Sequence, residues 1–215
     1  MTDLAALAAD TAHDLRDEAA LRGVYAPGPA GASLAKVADH VHPLYRPWIE
    51  ASPFAVLATC GPDGLDASPR GDPPGFVVVQ DEHTLLIPDR RGNNRIDSLR
   101  NIVADPRVAL LFLIPGIGET LRVNGRAHLS VDPTMLARCA VEGKAPKCVI
   151  VVTVQTVFFQ CSRAILRSRL WDPALQRRRE ELPTPGSILA QVGGAGFDGE
   201  KYDRELPVRL SGSLY

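Results

Sequence analysis

The spacing of apolar residues changes period twice along the chain. Leu4 to Leu21 is rich in Ala and Leu with interspersed acids, which predicts a helix. Gly23 to Gly31 holds two prolines and three glycines and predicts a loop. Ser33 then suits the N-cap of a second helix, with Leu34, Val37, Ala38 and Val41 at helical spacing. Pro43 and Pro47 break the next stretch into short helical pieces ending near Ser52.

From Phe54 the pattern is that of strands. Phe54 to Thr59 predicts one, Gly61-Pro62-Asp63-Gly64 a tight turn, and Leu65 to Ser68 the returning strand. Gly75 to Gln80 and Thr84 to Ile87 predict a second pair around Asp81-Glu82-His83. Asn94 to Ala104 is helical through Ile96, Leu99, Ile102 and Val103, and Asp105-Pro106 ends it. Arg107 to Ile114, Glu119 to Val131 and Lys147 to Phe159 read as three further strands. Between the last two, Asp132 caps a helix with Pro133 at its first position, running to about Val141.

About six strands with short turns and few helices predict a mainly β fold with added α: an antiparallel, Greek-key, closed or half-closed barrel. Helices before Ser52 and after Trp171 would flank it. The expected division is a helical extension over 1–52, a barrel domain over 53–172, and a C-terminal helix and tail over 173–215, with the stretch from Phe197 onward irregular. Gly193 to Gly196 reads as a flexible hinge, and Arg177-Arg178-Arg179 with Glu180-Glu181 as a solvated helix face.

Composition narrows the function classes. In 215 residues, 45% are hydrophobic and 23% charged, and the formal net charge is -1. That balance favours neither a broad grip on nucleic acid nor an anionic membrane surface. No apolar run approaches the roughly 20 residues of a membrane span, and no secretory signal pattern opens the chain. Cys60, Cys139, Cys148 and Cys161 lack metal-ligand spacing and read as reduced thiols of a cytoplasmic protein. The five histidines are scattered, so no metal site is expected.

One stretch carries chemistry. Ser68-Pro69-Arg70-Gly71-Asp72-Pro73-Pro74-Gly75 predicts a strand end and a stiff loop with an arginine and close-approach glycines. Pro88-Asp89-Arg90-Arg91-Gly92-Asn93-Asn94-Arg95 then precedes a helix, where guanidinium groups, free backbone N–H groups and the helix dipole suit a phosphate monoester. On local pattern alone, a solvated basic turn capped by Asn93 or Asn94 accounts for the same residues at least as well.

Taken together with Ser52-Pro53-Phe54, Gly61-Pro62-Asp63-Gly64, Asn101-Ile102, Asp105-Pro106-Arg107-Val108 and Gly118 to Ala127, these motifs resemble the FMN-binding split-barrel family typified by pyridoxamine 5'-phosphate oxidase. The likeness spans roughly Ser52 to Trp171. It looks closest to a bacterial subgroup with the same long loop and a late Ser168-Arg169-Leu170-Trp171. It implies a six-stranded split barrel, a homodimer with FMN at the subunit interface, and a small-molecule substrate or electron donor. It implies FMN contacts from Ser68, Arg70, Asp72, Pro88, Arg90, Arg91, Asn94, Arg95, Thr120, Arg122 and Trp171; the oxidase has glutamine where Thr120 stands. The oxidase's late arginine-x-histidine-x-arginine is not matched by Arg167 to Pro173, which argues against pyridoxamine phosphate oxidation. The expected activity is FMN-dependent oxidoreduction, with the chemistry carried by the cofactor and no acid–base triad. Two alternatives stand beside it: a non-catalytic flavin-binding or sensing protein, and a haem-binding relative with His128 as axial ligand. Deazaflavin F420 is a further candidate cofactor.

Overall fold

The computed structural model describes residues 13–194 and 196–214. The chain divides into two compact units, Met1–Val37 and Ala38–Tyr215. In the first, helix α1 spans Glu18–Val24 and α2 spans Gly31–Ala35. The early part of the expected first helix, from Leu4 to Ala12, lies outside the described residues. His13 to Asp17 is not helical; Asp17 instead caps α1 by accepting from Ala20 N at 2.8 Å. Helix α2 begins two residues before Ser33, behind Ala30.

The second unit contains α3 (Arg46–Ala51) and then seven strands: β1 (Phe54–Gly61), β2 (Gly64–Gly71), β3 (Val78–Asp81), β4 (Thr84–Pro88), β5 (Arg107–Leu113), β6 (Thr120–Ser130) and β7 (Val149–Gln160). Helix α4 (Asp97–Ala104) joins β4 to β5, and α5 (Pro133–Arg138) joins β6 to β7. All pairings are antiparallel, in the order β2-β1-β5-β6-β7-β4-β3. The fold is a split barrel of seven strands, each anticipated by the strand pattern and one more than the six that the resemblance implies. The short β3–β4 hairpin adds two strands at one edge, β4 on β7 and β3 on β4 alone.

Alternation builds the core. Ala55 and Leu57 of β1, Leu110 and Phe112 of β5, Leu121 and Val123 of β6, and Ile150 and Val152 of β7 point inward with Leu85 and Ile87 of β4. β1 and β4, the strands next to the two edges, thus share one core with the central strands, so the sheet is curled and leaves a seam between β2 and the end of β4. Helix α4 closes the barrel with Ile102 and Leu99. On the outside, α5 covers Leu86, Val149 and Val151 with Met135 and Leu136. Asp132 caps α5 as expected, although the helix stops at Arg138 rather than near Val141.

Two glycines in the sheet permit close approach. A Cβ on Gly125, at the β6 bulge, would lie 2.2 Å from Thr153 O, and one on Gly61 would lie 2.0 Å from Asn101 Oδ1. After β7 come α6 (Arg163–Ser168), two single-turn 3-10 helices, α7 (Pro185–Val192) and α8 (Gly199–Ser211). The stretch expected to be irregular from Phe197 is therefore mostly helix. Asp198 caps α8 through Lys201 N, and Asp203 accepts from Gly186 N at 2.8 Å to tie α8 to α7. The expected hinge includes Ala195, which lies outside the described residues, as does Tyr215. No helix among the described residues is long and apolar enough to cross a membrane.

Candidate functional site

The seam holds a cavity of about 590 Å3. One wall is β2 from Asp66 to Gly71, and the other is the segment from Pro88 to Leu99 with Lys147 and Cys148. Strand β2 is longer than expected: Pro69, Arg70 and Gly71 continue the ladder, with Arg70 opposite Ala55. That extension carries the Arg70 side chain to the seam on regular backbone.

Two ion pairs cross the seam from β2 and the residue just past it to the loop that leaves β4. Arg70 Nη1 donates to Asp89 Oδ1 at 2.9 Å, and both side chains are 17% exposed. Arg90 Nε donates to Asp72 Oδ2 at 2.6 Å, and Arg90 Nη1 to Cys139 O at 2.7 Å. The Asp72 side chain is only 2% exposed, which makes this the more deeply set pair. Arg70 Nε is buried and has no hydrogen-bond partner. An unmatched buried donor costs about 1–3 kcal/mol, so the guanidinium is left with capacity for another acceptor.

The cavity wall carries Arg70, Arg90, Arg91, Arg95 and Lys147 against Asp66, Asp89 and Asp97. This leaves a surplus of two positive charges, the charge a phosphate monoester neutralises. Arg95 Nε is paired with Asp97 at 2.8 Å, and Lys147 donates to Asn94 Oδ1 at 2.9 Å. Helix α4 is fastened beside the cavity by Ser98 Oγ, 3.0 Å from Asp66 Oδ2, and by Asn101 Nδ2 donating to Thr59 Oγ1 at 3.1 Å.

The helix starts later than the sequence suggested. Ile96 is the residue before it, at a φ of 53°, and Asn94 also has a positive φ of 57°. Neither Asn93 nor Asn94 caps α4; Asn93 Oδ1 accepts from Arg95 N at 3.0 Å within the loop. The basic segment is therefore a separate loop with two left-handed turns, not the first turn of the helix. A β-branched residue in that conformation is strained and is held there by its surroundings.

Of the residues expected at the site, Ser68, Arg70, Pro88, Arg90, Arg91, Asn94 and Arg95 line this one cavity. Asp72 joins it through Arg90. Thr120, Arg122 and Trp171 do not line it. Thr120 is buried at the start of β6, Arg122 lies 5.5 Å from the Phe158 ring centroid, and Trp171 Nε1 donates to Ile117 O at 2.7 Å. His128 is exposed on β6, opposite Val151.

Sequence reading missed Asp66, Asp89, Ser98 and Cys148. The signal for two of them was antiparallel register. Pro88 pairs with Val149, so the residue after β4 must meet the residue before β7, and Asp89 N indeed donates to Cys148 O at 3.0 Å. Burial pushes the Cys148 thiol above its ordinary value; the Asp89 carboxylate adds to this and Arg70 opposes it. Burial likewise raises the Cys139 thiol.

A family model described as pyridoxamine 5'-phosphate oxidase matches residues 41–161. No curated protein sequence matches the chain. Among solved structures, HupZ of Group A Streptococcus superposes with a TM-score of 0.45 at 16% identity, over 54% of this chain and 90% of that one. A Lactobacillus delbrueckii protein, provisionally designated a pyridoxamine 5'-phosphate oxidase, gives 0.44 at 19% identity, over 56% and 95%. An F420 reductase gives 0.38 at 22% identity, over 54% and 94%.

Proposed function

The chain belongs to the pyridoxamine 5'-phosphate oxidase family, and from that premise we propose that it is an FMN-binding oxidoreductase acting on a small organic substrate. The observation that carries this reading is the seam cavity. Its net positive wall and the unmatched buried Nε of Arg70 fit a phosphate dianion, and its volume falls in the range of small-molecule sites. Bound FMN would supply the redox chemistry, exchanging hydride or electrons with the substrate.

The chain's own residues then bind and orient. Arg70, Arg91 and Arg95 attract and hold the phosphate, with Asn94 and Ser68 as polar neighbours. Asp72 fixes Arg90, and Asp66 with Ser98 fixes α4 against β2. Pro88 ends β4 and sets where the loop departs.

The proposed active form is a homodimer. Thr120, Arg122 and Trp171 are absent from the cavity wall, so a site using them would draw them from a second copy. The outward positions of β1 and β5, Val56, Ala58, Ala109, Leu111 and Leu113, are apolar and half-buried, which suits a face covered by that copy. Four free thiols accord with a cytoplasmic setting. The proposed substrate is not pyridoxamine phosphate: Arg169, in the stretch where the oxidase carries its substrate motif, is paired with Asp172 at 2.5 Å.

The test is purification of the full chain followed by a visible spectrum, mass analysis of any bound chromophore, and sedimentation. A dimer carrying FMN whose flavin absorbance is bleached anaerobically by NADH or NADPH is expected. Bound FMN inert to donors and to oxygen would favour a sensing role instead.

A further inference from the structure

Three of the five histidines meet at the end of β4 away from the seam. His83 stands in the turn between β3 and β4, and His40 and His42 lie in the segment that leads into α3. The His40 ring centroid is 6.1 Å from that of His42 and 6.0 Å from that of His83. His83 precedes β4 and Asp89 follows it, so the strand sets the cluster about 20 Å from the seam loop at about 3.3 Å per residue.

Backbone bonds fix this place. Val41 N donates to Glu82 O at 2.7 Å and Val154 N to His83 O at 2.8 Å, while Ala38 and Val157 exchange bonds of 2.9 and 2.8 Å. Val41 is buried in the barrel core, which leaves its neighbours His40 and His42 at the surface.

The rings differ in what they offer. Asp39 Oδ1 lies 2.8 Å from His40 Nδ1, and this hydrogen bond holds the Asp39 carboxyl below its ordinary value. With Nδ1 donating, the lone pair of a neutral His40 falls on Nε2, the carboxylate–imidazole arrangement that orients metal-binding histidines. His42 is committed otherwise: its Nδ1 accepts from Leu44 N at 3.1 Å, which puts the proton of the neutral ring on Nε2. His83 Nε2 lies 3.5 Å from Glu82 Oε1.

Metal–nitrogen bonds of about 2.1 Å allow two rings on one ion to stand up to about 6 Å apart between centroids. His40 and His83 meet that limit on anchored backbone, and the Asp39 and Glu82 carboxylates beside them offset the charge of a dication. Among the described residues no three such side chains already surround an ion. Glu82, whose side chain is 68% exposed, can supply the third donor by turning onto it.

We propose that His40, His83 and Glu82 bind a divalent transition-metal ion of the zinc, nickel or copper class, which pins the segment before α3 to the β3–β4 turn. Imidazole ligands select such ions over magnesium and calcium. Asp39 is a positioning residue, acting through the His40 ring. The site stands apart from the flavin reading and does not depend on it.

Zinc chloride is titrated into the full chain, followed by histidine ring NMR, calorimetry and thermal melts, with magnesium chloride as control. Zinc should move the His40 and His83 ring signals and raise the melting temperature, and magnesium should do neither. Zinc affinity should fall more than about tenfold in His40→Ala and in His83→Ala, and about tenfold in Asp39→Ala with the His40 signal still responding. His42→Ala should bind zinc as wild type does. Matching melts without metal would establish that the variants are folded. FMN affinity should be the same with and without zinc. Ring signals that do not move, or zinc binding unchanged in the His40→Ala/His83→Ala double variant, as binding at thiols would give, would overturn the site. A loss in His42→Ala as large as that in His83→Ala would overturn this choice of ligands.

Discussion

Arg70 and Asp89 meet across the open seam of the sheet, one on edge strand β2 and the other just past β4, with Nη1 donating to Oδ1 at 2.9 Å. Backbone pairing does not join these edges among the described residues, so side-chain charge does. The same carboxylate occupies the arginine that a ligand phosphate would use. Asp89→Asn should therefore have opposed effects. Stability in urea should fall by about 1–3 kcal/mol, between the worth of exposed and buried pairs. FMN affinity should rise, because a competing negative charge leaves the wall. Fluorescence titration of FMN against the variant checks this, and a parallel fall in both quantities would mean that the pair is structural only.

Gly61 and Asn101 are coupled through space. A Cβ at position 61 would lie 2.0 Å from Asn101 Oδ1, while Asn101 Nδ2 bonds Thr59 Oγ1 at 3.1 Å. Gly61→Ala should displace Asn101, break that bond and cost about 1–3 kcal/mol. In an Asn101→Ala background the same change should cost much less. A double-mutant cycle of urea midpoints measures the difference, and additive costs would contradict the packing described.

Ile96 offers a gain. Its φ of 53° is costly for a β-branched side chain, and 52% of the residue is exposed, so little packing is lost on truncation. Ile96→Gly should raise stability by up to about 1 kcal/mol, the relief of left-handed strain exceeding the added freedom of the unfolded chain. The melting temperature reads this directly.

The thiols should sort by burial. Cys161 is exposed, whereas burial raises Cys139 and Cys148 above the ordinary thiol value. A native-state thiol reagent near neutral pH should modify Cys161 readily and Cys139 and Cys148 slowly. FMN should protect Cys148 further, since it lines the seam cavity. A raised folded-state value means that the fold favours the protonated thiol. That contribution is complete below about pH 9, where the unfolded thiols begin to ionise, and is lost as pH rises through the folded-state values. Mass-resolved labelling over alkaline pH, with parallel melts, tests both statements.

The barrel was legible because most strands alternate in a strict period of two, as in Ala55-Leu57 and Leu121-Val123. What escaped was set by tertiary contacts. Pro69-Arg70-Gly71 looks like a loop but pairs with β1, because an edge strand tolerates a proline whose missing N–H faces away from the ladder. Ile96 fits a helical stripe, yet the loop holds it left-handed before α4 begins. Chain order brought the Arg70 and Arg90 loops under suspicion together. The carboxylate that answers Arg70, Asp89, depends on how the sheet curls, which local pattern does not encode. Helix α8 contains Pro207 and has no buried residues, so periodicity gave little sign of it.

The proposed function rests on recognition of a flavin phosphate in the seam cavity. Affinities of the full chain for FMN and for riboflavin, which lacks the phosphate, isolate that recognition, measured in wild type and in Arg70→Ala. Tight binding of FMN is predicted, with much weaker binding of riboflavin and loss of most of that preference in the variant. A protein that binds neither flavin, or binds both equally with Arg70 intact, would contradict it.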